Sequence, residues 1–559
     1  MNHVWQQGRS FRIFAALIVP FLLTLNPQSA LGQGFKMTQL NPPGYQAGTA
    51  IPYGVNASEA VVGFGTATSG ATVGFLYAGG KYTTLDFPAS NTFTRASGIN
   101  DSNEIVGDWY EASTNTYHGY TYENGTYQQY DVGGKVSTSI FGVNSVGHIT
   151  GAEGHEGGGG FVKGFIYTGS GKPTEFFASG QDATYAYAIN SSDEVVGEYF
   201  DSSNVAHGFY RNAAGKITAI EYPGATQTVA YGINDAGEIT GTYINASNLP
   251  YGFTYIKGKY ASTDFAATRG INSKGAYVGF YWGVDGAPSG YLASPQAFTL
   301  STVKIPNEQQ ALLYGVNKAG VSVGAYVDTN GQEHGMMVSA AGKVTNIDDS
   351  NGVQTICIAI NSANHIVGDY FDTSGNPHGF EYIAGKFTDI PGPSEALSTD
   401  ATGINDVGEI AGDFYSGSDS THHGFLLKGG KYTQLDPPGS TNTFSGGINA
   451  GGKITFFWVD ANSYVQSSLY NGKTFTSINV PGAASSYAQG INTAGDIVFF
   501  VYDPYGVEHS ALKKGSAYFI FDDPKGFNPA AGGINDAGLI VGYYIPTGTK
   551  LAQPFKGTE

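Results

Sequence analysis

Six of the eleven histidines in this 559-residue chain stand at equivalent places, His118, His207, His334, His378, His423 and His509. Five of the six precede a glycine and then Tyr, Phe or Met. Imidazoles hold a metal only where several converge on one ion, at about 2.1 Å. Residues that recur once per structural repeat are spread apart, so these six are expected to pack as polar-tipped rings at the start of a strand. A second group, His148, Glu153, His155 and Glu156, lies within nine residues and runs into Gly157–Gly160. It offers ligands for a divalent ion. Its spacing matches no standard zinc motif, and the glycines raise the entropic cost of ordering it, so a solvated loop is expected. Asp108, Glu198, Asp369 and Asp413 each follow a glycine at the same point of the repeat. They could ring a channel and bind cations or sugars, but other repeats carry no acid there, and exposed sheet edges are the expected setting. Gly320-Val321-Ser322-Val323-Gly324 matches the string of a serine-hydrolase elbow, which works only on a sharp strand-to-helix turn; a strand surrounds it here. No catalytic residue, metal site or cofactor is assigned.

The elements that must position these residues follow from a longer period. Gly232–Gly241, G-I-N-D-A-G-E-I-T-G, recurs twelve times, with its asparagine at Asn56, Asn100, Asn144, Asn190, Asn234, Asn272, Asn317, Asn361, Asn405, Asn449, Asn492 and Asn535. An interval of roughly 44 residues made of short strands is the length of one four-stranded propeller blade. In the repeat around Asn405, strand A ends at Ile404 and Asn405–Gly408 turns. Strand B is expected over Glu409–Tyr415, strand C over His423–Leu427 and strand D over Tyr432–Asp436, and Pro437-Pro438-Gly439 ends the blade. No segment has a helical period.

The fold class expected is all-β, a β-propeller of twelve such repeats arranged as two six-bladed propellers in tandem. Seven plus five is the rival partition. The stretch Gly290–Ile305 is longer than its equivalents and carries Ser294-Pro295-Gln296, which sets the boundaries at 1–32 for a signal peptide, 33–295 for the first propeller and 296–559 for the second. Residues 36–40 read as an orphan strand D and 533–557 as an orphan A-B-C, so each ring would close by pairing its first outer strand with its last blade.

If strand A is innermost, the residue before each G-I-N faces a central channel. In the first half these residues are Tyr53, Ser97, Phe141, Tyr187, Tyr231 and Arg269, and in the second Tyr314, Ile358, Thr402, Gly446, Gln489 and Gly532. Tyr53, Phe141, Tyr187, Tyr231 and Arg269 form the candidate ligand-binding mouth, able to stack on sugar rings or clasp an anion. Packing between blades is the structural alternative for the same residues.

Composition bounds the rest. Charged residues are 13% and the net charge is −18, which disfavours nucleic acid and anionic membranes as partners. Arg9 and Arg12, the apolar run Ile13–Leu25 and the small-residue site Ala30-Leu31-Gly32 form a secretory signal. No later segment is apolar for 18 residues, so no membrane span is expected. Cys357 is the only cysteine, which excludes an internal disulfide and suits a small buried side chain.

The repeats resemble the extracellular HAF-repeat family, named for a His-Ala-Phe signature. That slot here reads His118-Gly119-Tyr120, His207-Gly208-Phe209, His334-Gly335-Met336, His378-Gly379-Phe380 and His423-Gly424-Phe425, with glycine for the middle alanine; Val73, Lys163, Tyr251 and Ser289 replace the histidine elsewhere. The resemblance implies an exported bacterial repeat protein and no known activity. The expected function is therefore a secreted, non-enzymatic binding or scaffolding role toward a carbohydrate or an extracellular protein. A propeller-type carbohydrate-active enzyme or lactonase, or a structural surface component, are the alternatives.

Overall fold

The computed structural model describes residues 34–559, apart from 91, 133–136, 155–161, 181–182, 264–266, 283–286, 505 and 523–525. The proposed signal segment, 1–32, lies outside the described residues, as do His155, Glu156 and the glycines after them. Among the described residues every regular element is a strand and none is a helix. The chain divides into two compact units, Lys36–Pro295 and Gln296–Glu559. Each is a succession of four-stranded antiparallel sheets in the order A-B-C-D.

The sheet around Asn405 shows how the sequence makes this unit. Strand A is Ala396–Ile404, B is Ile410–Ser416, C is His422–Lys428 and D is Lys431–Gln434. The A–B turn places Gly408 at φ +80°, a conformation that disfavours other residues. Gly412 in strand B faces the carbonyl of Asp400 and the ring of Phe425; an added Cβ would lie 2.3 Å and 2.5 Å from them. The glycine in B and the aromatic after His-Gly in C are thus one packing device. Phe425 is fully buried in a cluster with Val367 and Ile390 of the preceding sheet and Ala401, Ile404 and Phe414 of its own. The core therefore lies between successive sheets, where each such ring contributes about 2–3 kcal/mol of apolar burial.

The outermost strand of the last sheet in each unit comes from far away in sequence. In the first unit Gly34–Leu40 follows Ala267–Ile271, Tyr277–Trp282 and Pro288–Gln296. In the second Thr299–Thr302 pairs with Gln553–Thr558, beyond Gly526–Ile534 and Ile540–Pro546.

The repeated asparagine does two jobs at once. Oδ1 of Asn405 accepts the N–H groups of Val407 and Glu409 at 3.2 and 2.9 Å, which closes the turn. Nδ2 donates to the carbonyl of Asn449 in the next sheet at 3.3 Å. In the first unit the same bond runs Asn56 to Asn100, Asn144, Asn190, Asn234 and Asn272, and Asn272 donates back to Asn56 at 2.8 Å. In the second unit it runs Asn317, Asn361, Asn405, Asn449, Asn492, Asn535, and Asn535 donates back to Asn317 at 2.9 Å. Both chains of bonds are cycles of six, and all twelve side chains are buried.

Aspartate would keep the turn but lose the donor and turn a buried carboxylate toward a carbonyl and toward Glu409 Oε2, 2.8 Å from Nδ2. Asn405→Asp should therefore cost about 1–3 kcal/mol. Urea denaturation of the full chain measures it, and a variant within about 0.5 kcal/mol of wild type would show that the cycle does not hold the sheets together.

Candidate functional site

Strand A breaks register with strand B at the residue before each G-I-N. The shift falls between Pro52 and Gly54, between Ala401 and Gly403, and at the matching place in the other sheets. A β-bulge re-aims the unpaired side chain, and here it turns that residue toward the middle of the unit. In the first unit Tyr53, Ser97, Phe141, Tyr187, Tyr231 and Arg269 line one small cavity of about 80 Å³. In the second, Tyr314, Ile358, Thr402, Gly446, Gln489 and Gly532 line one of about 390 Å³. The bulge was not foreseen from sequence, although its effect on these positions was.

The five residues expected to form a ligand-binding mouth are thus brought together, and they face one another. The Arg269 guanidinium sits 3.7 Å over the Tyr231 ring and 5.2 Å from that of Tyr53. Tyr187 packs on Tyr231 and Phe141 with ring centroids 4.9 and 5.2 Å apart, and its hydroxyl donates to Glu198 at 2.5 Å. Burial pushes the Tyr231 hydroxyl up to about 12 despite Arg269 beside it. Burial alone would lower Arg269, but Tyr231, Tyr53 and Tyr187 outweigh it and raise the guanidinium further. The faces a sugar would use are taken up within the cluster.

The expected setting of the four acids changes in the structure. Asp108, Glu198, Asp369 and Asp413 are buried, not set at exposed edges. Asp108 pairs with Arg95 at 2.5 Å. Asp369 and Asp413 accept the N–H groups of Ala401 and Ser445 in the following sheet at 2.9 and 3.2 Å. Asp108 also accepts the Ser139 hydroxyl of the following sheet at 2.6 Å, so three of the four tie their sheet to the next and are buried there, while Glu198 is held within its own sheet by the Tyr187 hydroxyl. His148 and Glu153 have separate partners: His148 meets Asp193 at 2.8 Å, and Glu153 lies 3.9 Å from Lys163. Ser322 is buried within the strand Ser322–Asp328. Cys357 is the small buried side chain expected, and burial raises its thiol pKa far above the ordinary value.

The six slot histidines are each held by acids of their own repeat. His423 leans on Phe414 and contacts Asp436 at 2.8 Å and Asp419 at 3.0 Å. His207 does the same with Tyr199, Glu221 and Asp201.

The second unit's cavity holds chemistry the sequence reading missed. Asp400 of strand A stands opposite Asp413 of strand B. Asp413 stands opposite Gly424 of strand C, and His422 lies two residues before that glycine. Alternation along a strand puts all three side chains on one face, and one ligand atom from each lies within 4.8 Å of the others. His422 packs its ring against Phe444 at 4.7 Å and Tyr415 at 5.2 Å. From Phe444 an aromatic wall continues through Phe457, Tyr487 and Phe500, with successive centroids 5.2, 5.3 and 4.3 Å apart. Asp369 also lines the cavity, and among the described residues its lining contains no lysine or arginine. A water-accessible space of this size is within the range of small-molecule pockets, about 300–1,000 Å³; that of the first unit is well below it. The signal was present in sequence as two small residues, Gly446 and Gly532, at the bulge position, and as a second histidine just before His423.

No family model matches the chain, and no curated protein matches it by sequence. Solved structures similar to it include β-propellers. The fungal lectin of Aleuria aurantia, described as a six-bladed β-propeller with a fucose recognition mode, is 13% identical, with 46% of this chain and 93% of that one covered and a TM-score of 0.31. A gluconolactonase from Xanthomonas campestris is 11% identical over 47% of this chain and 90% of that one, TM-score 0.31. The β-propeller domain of a protease from Pyrococcus furiosus is 12% identical over 60% and 92%, TM-score 0.25. At such values no ligand or activity transfers to this chain. The chain itself is all-β, built of repeated four-stranded antiparallel sheets consistent with a β-propeller, and no helix among the described residues is long and apolar enough to cross a membrane.

The acid-bracketed histidines carry a pH signature. Burial alone would lower His423 and His207, but their carboxylate partners more than offset it and the net shift is upward in both. A raised folded-state pKa adds stability that is fully present below the unfolded value, about 6.5, and lost as pH rises through the folded value. The difference in unfolding free energy between wild type and His423→Gln should therefore shrink between about pH 6 and pH 8.5. Denaturation series across that range check it; a difference constant with pH would contradict the bracket.

Proposed function

We propose that the chain is a tandem of two six-bladed β-propellers, built of HAF-like repeats and exported from the cell, which binds a small carbohydrate in the cavity of the second unit. Two six-membered asparagine cycles and a distant outer strand in the last sheet of each unit support the architecture. The acidic composition and the N-terminal signal pattern support export.

One observation carries the binding role: a cavity of about 390 Å³ with an aromatic wall on one side and carboxylates on another. Flat aromatic faces cover the C–H face of a sugar ring, and ionised carboxylates accept its hydroxyls in charge-assisted hydrogen bonds. With three aspartates and, among the described residues, no lysine or arginine in the lining, an amino sugar is favoured over an acidic one. Asp400 and Asp413 are neighbours on one wall. Glycoside hydrolysis instead needs two carboxylates flanking the bond to be cleaved, so binding without turnover is the reading favoured.

The test is calorimetric titration of residues 33–559 with neutral, amino and acidic mono- and disaccharides. Neutral or amino sugars should bind and acidic ones should not. Phe457→Ala should weaken binding about tenfold, or about 1.4 kcal/mol. Thr402→Tyr, which gives the bulge the kind of side chain it has in the first unit, should abolish binding without unfolding the protein. Binding that survives Thr402→Tyr, or no binding by any sugar, would reject this cavity as the site.

A further inference from the structure

The Asp400–Asp413–His422 group points to something more specific than a polar edge to a sugar pocket. We infer that these three side chains bind one divalent transition-metal ion, of the zinc or manganese kind, on the wall of the second unit's cavity. This inference does not rest on the sugar reading.

Two carboxylates and one imidazole are a donor set suited to such ions, while the imidazole argues against calcium or magnesium, which take oxygen ligands. The three candidate ligand atoms already lie within 4.8 Å of one another, close enough to share an ion with modest side-chain adjustment. The second observation is the state of His422. Its side chain is 11% exposed, and its Nδ1 is shut off from solvent with no hydrogen-bond partner. That atom lies 3.5 Å from Oδ2 of Asp413, a carboxylate itself only 2% exposed. A buried imidazole nitrogen is ordinarily satisfied, and the slot histidine next to it, His423, has carboxylates within 3.0 Å of both ring nitrogens. His422 differs in facing the cavity and a carboxylate pair.

Charge favours the same occupant. Asp400 and Asp413 stand directly opposite across two strands, an arrangement that destabilises a sheet when both are ionised. Among the described residues no lysine or arginine lines the cavity. The scaffold is also firm: the Asp413 carboxylate accepts the Ser445 N–H at 3.2 Å, and the His422 ring is packed between Tyr415 and Phe444. Position and packing of the ligands are thus set by strands, not by a loop, which lowers the ordering cost of binding.

The test is calorimetric titration of the chelator-stripped mature chain with zinc chloride and, separately, manganese chloride, with calcium chloride as a control. We expect one site per chain for zinc or manganese, at least about tenfold weaker in both Asp400→Asn and His422→Gln. Calcium should not compete. Crystals of the wild-type chain soaked in manganese chloride give an independent reading that needs no substitution. An anomalous peak between the three side chains supports the site; its absence overturns it, as does metal binding that neither substitution changes. Metal binding without any sugar response would keep this inference and reject the sugar reading, and sugar binding indifferent to chelation and to both substitutions would do the reverse.

Discussion

The side-chain amide of one asparagine per repeat is the interaction on which the rest of this structure depends. A turn needs an acceptor for its own N–H groups, and the asparagine carbonyl of the neighbouring sheet, which already accepts the N–H that closes its own turn, has a second lone pair for a donor. Only an amide supplies both from one position, and each of the twelve does so while buried. A buried polar group left without a partner is costly, so the register of each sheet against the next is strictly specified at this point. The apolar residues between sheets provide most of the stabilisation, but they could slide. The amide hydrogen bond fixes where they stop.

Once the turns are pinned, the bulge in strand A becomes the variable part of the design. It is present in both units, and it delivers one side chain per repeat to the middle of each. In the first unit four aromatic rings and Arg269 arrive there and pack on one another. In the second, two glycines, a threonine and a glutamine leave space, and the walls are drawn from neighbouring strands: Phe444, Phe457, Tyr487 and Phe500 on one side, Asp400, Asp413 and His422 on another. The same backbone thus makes a plug or a pocket, depending on the volume delivered at six positions.

The slot histidines have a plainer explanation. Each lies on the ring or strand opposite and is held by carboxylates of its own repeat. Their recurrence reflects a local solution to holding the start of strand C beside strand D. His422, one residue earlier in a single repeat, falls on the opposite face of the strand and so belongs to the cavity.

Much of this was legible in the chain itself. The 44-residue interval, the G-I-N-D turn and the His-Gly-Phe strand are local patterns whose geometry is decided within a few residues. The sheets, their order and the repeated asparagines could therefore be read in advance. So could the set of residues that converge at the middle of the first unit. What they do there could not, because a row of tyrosines reads equally as a binding face or as filling until the space between them is known. The buried carboxylates were misread for the same reason: Asp413 looks like a surface acid until the next sheet's backbone is laid against it. Sequence by itself determined the repeat, the strands and the turns, since those follow from short-range backbone chemistry. Only the tertiary structure decided which centre is filled and which is open, and that Asp400, Asp413 and His422 meet, because volume left over and atoms brought together across strands are sums over residues distant in the chain.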